Sequence, residues 1–219
     1  MISVAIDGPA GAGKSTVAKE VARKKGFIYV DTGAMYRAMA LYMLREGVDL
    51  DKPDAIVEAC VRPKIDIRYE GGEQCVYLNG ENVTGLIRTG EVSRAASKSS
   101  AVRQVRERLV AMQQEIAREN SVVMDGRDIG TKVLPDAPVK IYLTASAEVR
   151  AKRRYEENLA KGMEADLKQI EEEIRLRDEQ DMTRKESPLT KAEGAVEIDT
   201  DQMTAKEVSE EIIRLIDSQ

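Results

Sequence analysis

The sequence predicts an α/β protein, a doubly wound parallel sheet of about five strands flanked by helices, with a small antiparallel β insertion. Three observations predict it. Short apolar runs of strand length alternate with longer helical stretches. The first run leads through a glycine-rich turn straight into a helix. One mid-chain segment switches to apolar/polar alternation around paired glycines. The length of 219 residues suits one domain, or one core with a sizeable insertion.

Ile2, Val4 and Ile6 make the first strand, and Val17 to Lys25 continue as a helix that stops at Gly26. Phe27 to Val30 is a near-continuous apolar run, as expected of a strand buried on both faces. Asp31 or Thr32 caps a helix running to about Glu46 and ended by Gly47. On its face Met35, Met39, Tyr42 and Met43 read as core packing. From Pro63 to Arg88, Ile65, Ile67 and Tyr69 alternate with polar residues, Gly71-Gly72 turns the chain, and Cys75, Tyr77 and Leu78 form a second strand before an Asn79-Gly80 turn. Long helical stretches are expected over about 89–120, strands at 121–125 and 139–143, helices at about 147–159 and 165–181, a short strand at 196–199, and a C-terminal helix.

Composition narrows the chemistry. Hydrophobic residues make up 42%, enough for a buried core, and charged residues 33%, which suggests long solvated helices. The net charge of −5 argues against a protein that coats nucleic acid or anionic membrane, and a single Phe with no Trp leaves few stacking platforms. Histidine is absent, so no histidine base or histidine metal ligand operates here. Cys60 and Cys75 are too few for a disulfide framework or a four-thiolate zinc site and read as reduced thiols. No apolar run approaches the ~20 residues that span a bilayer, and the N-terminus reads as a strand rather than a signal peptide. A cytoplasmic, monomeric protein without membrane or nucleic-acid partners is expected.

Gly8-Pro9-Ala10-Gly11-Ala12-Gly13-Lys14-Ser15 fits G-x-x-x-x-G-K-[ST], with a strand before it and a helix after it. Glycines let successive N–H groups turn inward on phosphate oxygens, and the helix N-terminus adds partial positive charge. Lys14 would reach the β and γ phosphates and Ser15 would ligate Mg²⁺. No Asp is followed three residues later by Gly and there is no Asn-Lys-x-Asp, so a GTPase is disfavoured. A small phosphotransferase remains, and it needs an acceptor site. Three arginine-bearing segments are candidates: Asp31 to Arg37, Asp125 to Thr131, and Arg177 to Arg184. The first two directly follow strands, where α/β proteins bind ligands. Lys152, Arg153 and Arg154 form a basic cluster, either a short helical lid that brings charge to the transferring phosphate or a solvated helix face.

Together these motifs resemble the bacterial cytidylate kinases, within the nucleoside monophosphate kinase group of P-loop proteins. Asp7 to Ser15, Asp31 to Arg37, Asp125-Gly126-Arg127-Asp128-Ile129-Gly130-Thr131, Pro135 to Tyr142 and the Arg177 to Leu189 stretch carry the resemblance. It implies a single kinase domain over 1–219, with a core at 1–62 and 100–219, a lid at about 150–182, and a CMP-binding insertion at 63–99. It further implies transfer of the γ-phosphate of ATP to CMP or dCMP, with Mg²⁺ carried by ATP. ATP would be bound by Gly8, Pro9, Ala10, Gly11, Ala12, Gly13, Lys14, Ser15 and Thr16. The acceptor phosphate would be gripped by Arg37, Arg127 and Arg184, the cytosine read by Ser97, Arg106 and Asp128, and the ribose held by Asp181 and Arg177. Lys14, Arg127, Arg184 and Arg153 would stabilise the transition state. Thr32, where many relatives carry Ser, keeps the hydroxyl on the substrate side. A kinase of the same architecture for another nucleotide, shikimate or dephospho-coenzyme A, and a non-catalytic ATP-binding module, are the competing readings.

Overall fold

A computed structural model describes residues 1–219. In chain order the elements are β1 (Ser3–Asp7), α1 (Lys14–Lys25), β2 (Ile28–Asp31), α2 (Thr32–Arg45), α3 (Pro53–Cys60), β3 (Ile65–Glu70), β4 (Glu73–Leu78), β5 (Glu81–Asn82), α4 (Gly90–Ser99) and α5 (Arg103–Glu119). There follow β6 (Val122–Gly126), a π-helical turn (Ile129–Val133), β7 (Val139–Thr144), α6 (Ala147–Ala160), α7 (Leu167–Thr183), β8 (Val196–Asp199) and α8 (Ala205–Asp217). The chain forms two compact units: Met1–Tyr29 with Glu119–Gln219, and Val30–Arg118.

The sheet order is β2-β6-β1-β7-β8. β1 pairs in parallel with both β6 and β7, and β7 with β8. Asp7, the last residue of β1, lies level with Gly126 on one side and Tyr142 on the other. The chain leaves β1 towards β2 and β6 on one side and reaches β7 and β8 on the other. Such a reversal of strand order opens a crevice at the carboxyl ends of the strands. The expected doubly wound parallel sheet is the observed one.

Apolar spacing explains the packing of the first unit. Val17, Ala18, Val21 and Ala22 of α1 and Val208, Ile212 and Ile216 of α8 recur at helical intervals. They form one core with Val4, Ile6, Val139, Ile141, Leu143 and Ile198 of the sheet. α6 and α7 pack on each other through Ala147, Ala151, Ile170 and Ile174, the stretch expected to act as a lid. No helix is long and apolar enough to cross a membrane.

In the second unit, Met35, Met39 and Met43 of α2 are fully buried, as their spacing predicts, and α2 packs against α4. β3 and β4 pair antiparallel from Ile65↔Leu78 to Glu70↔Glu73, and β5 adds a third strand. Both turns have positive φ at both central positions, Gly71 and Gly72 at 61° and 83°, Asn79 and Gly80 at 51° and 89°, which matches the twist of the flanking strands. The expected 63–99 insertion falls within this unit.

One helix lies outside the sequence expectations. α3 has only eight residues and buries Ile56, Ala59 and Cys60, too few for periodicity to reveal it, although Pro53 stands at its first turn. The helical stretches expected over about 89–120 are α4 and α5, parted at 100–102, where Ala101 and Val102 N–H groups bond back to Lys98 and Ser99 carbonyls.

α8 begins with a capping box: Glu207 N–H donates to the Thr204 hydroxyl, and the Glu207 carboxylate accepts from Thr204 N–H. Thr204→Ala removes this and should cost about 1 kcal/mol of stability, read as a lower midpoint in urea unfolding.

Candidate active site

The glycine-rich loop is held by steric necessity. At Gly8 φ is +148°, and a Cβ there would meet the Leu143 carbonyl oxygen at 1.9 Å, so no side chain fits as the loop leaves β1 beside β7. Lys14 opens α1 yet is only 5% exposed, and its ammonium donates to the Pro9 carbonyl at 2.7 Å. Burial pushes its pKa down to about 7, with Arg127 adding repulsion against the attraction of Asp125, Asp7 and Asp181. The Ser15 hydroxyl donates to Asp125 Oδ2 at 2.9 Å, and the Tyr29 hydroxyl to Asp125 Oδ1 at 2.8 Å. Ser15 and Asp125 are hard oxygen donors, the set that suits a Mg²⁺ held partly by phosphates. No group of three or more His, Cys, Asp or Glu side chains forms a ready metal cage.

The Gly126 to Gly130 segment begins level with the end of β1. Arg127 Nε donates to Asp181 Oδ2 at 2.8 Å, and Arg184 Nη1 lies 3.5 Å from Asp181 Oδ1. Burial would raise the Asp181 pKa, but Arg127, Arg184 and Arg177 outweigh it and hold the carboxyl below its ordinary value. Asp181 thus gathers Arg127 and Arg184, two of the expected phosphate-binding arginines, with Arg177 one helical turn back on α7. Asp128, 4% exposed, stands at the N-cap of the π-helical turn, whose backbone its side chain does not cap. Instead Asp7 Oδ1 and Oδ2 accept the N–H groups of Ile129 at 2.8 Å and Gly130 at 2.7 Å. Burial pushes the Asp7 pKa up to about 6 despite these two donors.

α6 supplies two arginines with different surroundings. Arg150 is 4% exposed and pairs with Asp178 of α7 through both guanidinium nitrogens, at 3.0 and 2.5 Å. The same guanidinium donates to the carbonyls of Ala145 and of Ala10 in the glycine-rich loop. Arg153 donates to the hydroxyl and carbonyl of Thr200 and, with Ala12, Gly13 and Thr16, lines a cleft of about 220 Å³ beside that loop. Lys152 and Arg154 face solvent, so the basic cluster divides between a site wall and a solvated face.

Thr32, Arg37, Ser97 and Arg106 belong to the second unit. Thr32 is buried in the first turn of α2, and Asp31 caps that helix by accepting Ala34 N–H at 2.9 Å. Arg37 Nη1 stands 4.0 Å from the same Asp31 carboxylate, which Arg88 also binds at 2.9 Å. Gly33 leaves room for this, since a Cβ there would come within 3.2 Å of Asp31 Oδ1 and 3.3 Å of Arg37 Nη1. Arg106, 5% exposed on α5, stacks its guanidinium 5.3 Å from the Tyr36 ring centre and donates to the Ser100 carbonyl. Ser97 is exposed on α4.

The sequence assigns no individual role to Asp7, Asp125, Arg150 or Asp178. Asp125 carried a usable signal, an acidic residue ending a buried apolar strand in a chain with a phosphate loop. Arg150 and Asp178 lie on separate helices 28 residues apart, and nothing local links them. Arg150→Ala leaves Asp178 without its partner in a largely buried place and should cost about 3–5 kcal/mol in urea unfolding. An unchanged midpoint would contradict the clamp.

The sequence model of the cytidylate kinase family matches residues 4–218. Cytidylate kinase from Bacillus licheniformis is 52% identical over 217 residues, covering 99% of this chain and 96% of that protein. Cytidylate kinase from Bacillus subtilis is 50% identical over 216 residues, covering 99% and 96%. Among solved structures, shikimate kinase from Acinetobacter baumannii shares the fold at a TM-score of 0.50 and 17% identity, over 100% of this chain and 94% of that one. The likeness to that structure is one of fold. With a family match from near one end to the other and half the residues identical to curated relatives, this chain is an enzyme of the cytidylate kinase family.

Proposed function

We propose that this chain transfers the γ-phosphoryl group of ATP to CMP and dCMP, giving ADP with CDP or dCDP. The observation that supports it most is the arginine pair on Asp181, next to a buried Lys14 on which both Arg127 and Asp181 act. Such a cluster is built to exchange an internal carboxylate for a phosphate. In this reading Gly8 to Thr16 cradle the triphosphate of ATP. Arg37, Arg127 and Arg184 take the phosphate of CMP, with the Thr32 hydroxyl on the same side. Arg177 and Asp181 hold the ribose. Ser97, Arg106 and Asp128 read the cytosine. A carboxylate accepts from the exocyclic amine of cytosine, and a guanidinium donates to its ring nitrogen and carbonyl. Uracil presents a carbonyl where cytosine has the amine, which would face Asp128 as an unpaired acceptor.

The chemistry needs no strong base. The second proton of a phosphate monoester leaves near pH 6, so the acceptor is already mostly dianionic at neutral pH. Alignment and charge neutralisation remain, and Lys14, Arg127, Arg184 and Arg153 supply the positive charge. Mg²⁺ arriving with ATP would be held by Ser15 and Asp125 and adds positive charge against the phosphate oxygens. Closure of α6 and α7 would exclude water and limit hydrolysis of ATP.

The test is ADP release from ATP and Mg²⁺ with CMP, dCMP, UMP, AMP, GMP and shikimate in turn. CMP and dCMP should turn over fastest, with kcat/KM for UMP lower by about tenfold or more, the loss expected for one unpaired polar group. Equal turnover of UMP sinks the assigned base reading. No dependence on any acceptor sinks the kinase reading. A second expectation comes from Lys14, whose ammonium is mostly deprotonated at pH 8 with a pKa of about 7. The triphosphate restores its charge, so ATP binding at pH 8 should take up about one proton, falling towards none at pH 6. Titration calorimetry in two buffers of different ionisation enthalpy measures the uptake.

A further inference from the structure

We infer that Asp7 is a specificity-positioning residue: by capping the turn that follows Asp128, it keeps the Asp128 carboxylate off its own backbone and aimed at the base of the acceptor nucleotide. The inference rests on the proposed reading of cytosine by Asp128. Asp128 occupies an N-cap, where Asp ordinarily folds back to accept the N–H two or three residues ahead. Here the nearer of those N–H groups, at Gly130, is already taken by Asp7 Oδ2 at 2.7 Å, and Oδ1 takes Ile129 N–H at 2.8 Å. The cap comes from a residue 122 positions away. Asp128 makes no side-chain cap bond, while its carbonyl accepts Lys132 and Val133 N–H to close the π-helical turn.

Asp7 is an expensive choice for a purely structural cap. It is 2% exposed, with Asp128 adding repulsion, Lys14 the counter-attraction, and burial the dominant influence against its charge. A carboxylate also differs from an amide in a way that matters here. It offers two acceptors to two converging N–H groups, whereas Asn offers one acceptor and points a donor at the other N–H. In Asp7→Asn one of the two N–H groups loses its partner, and the Asp128 carboxylate, at the N-cap of the same turn, is of the right kind to replace it at Gly130. Asp128 would then turn to its own helix and away from the base.

The experiment measures kcat/KM for CMP and for UMP in the wild type, Asp128→Asn, Asp7→Asn and Asp7→Ser, with KM for ATP and the melting temperature of each. Both Asp7 variants should melt within a few degrees of wild type. Both should lower the CMP:UMP ratio of kcat/KM by about tenfold, the effect of about 1.4 kcal/mol. A merely structural role would lower activity with both acceptors alike and leave the ratio unchanged. If Asp128→Asn lowers the ratio and the Asp7 variants do not, the positioning role is overturned and the reading of cytosine stands. If Asp128→Asn leaves the ratio unchanged, the cytosine reading itself fails and the inference falls with it. If neither Asp7 variant folds, Asp7 serves stability and the inference is overturned.

Discussion

Charges buried at the carboxyl edge of the parallel sheet constrain everything around them. Asp7 ends β1, Asp125 lies near the end of β6 and Asp181 projects from α7, and each attracts the charge of Lys14, which opens α1. An isolated buried charge is strongly disfavoured, so each of these must find partners in the protein. The partners define the local architecture. Asp7 takes two backbone N–H groups, Asp125 takes two hydroxyls, Asp181 takes two arginines, and Lys14 takes a loop carbonyl.

The neutralisation is incomplete in a way that favours a phosphate ligand. Burial holds the Lys14 pKa down to about 7, so keeping its ammonium charged without a phosphate beside it is a free-energy cost that the rest of the fold must supply. A polyanion entering the loop would remove it. Binding and charge restoration at Lys14 are then one event, and the apolar core of α1, α8 and the sheet supplies the stability that the site gives up.

Much of the fold was legible because it follows local rules. The strand, glycine loop and helix at the N-terminus are fixed by a motif whose glycines have steric work to do, as the 1.9 Å approach at Gly8 makes plain. The Met35, Met39 and Met43 stripe and the two primed turns also declare themselves through spacing and residue type. α3 did not, because eight residues carry barely two turns of pattern. The π-helical turn did not either, since its cap comes from another strand and Asp128 reads locally as an ordinary N-cap.

The same division runs through the site. The residues of the glycine loop, Arg127, Asp128, Asp181 and Arg184 were nameable as candidates because each sits in a compact motif or a family resemblance. The pairings among them were not. That Arg127 and Arg184 share Asp181, that Ser15 bonds to Asp125, and that Arg150 ties the loop carbonyl of Ala10 to Asp178 are contacts across 3 to 140 positions of chain. By itself the sequence determined the order of strands and helices, the phosphate-binding loop and the family, because backbone conformation and apolar periodicity are properties of neighbouring residues. Only the tertiary structure decided which buried charge neutralises which, because Coulomb interaction and desolvation depend on distance and burial in space and not on separation along the chain.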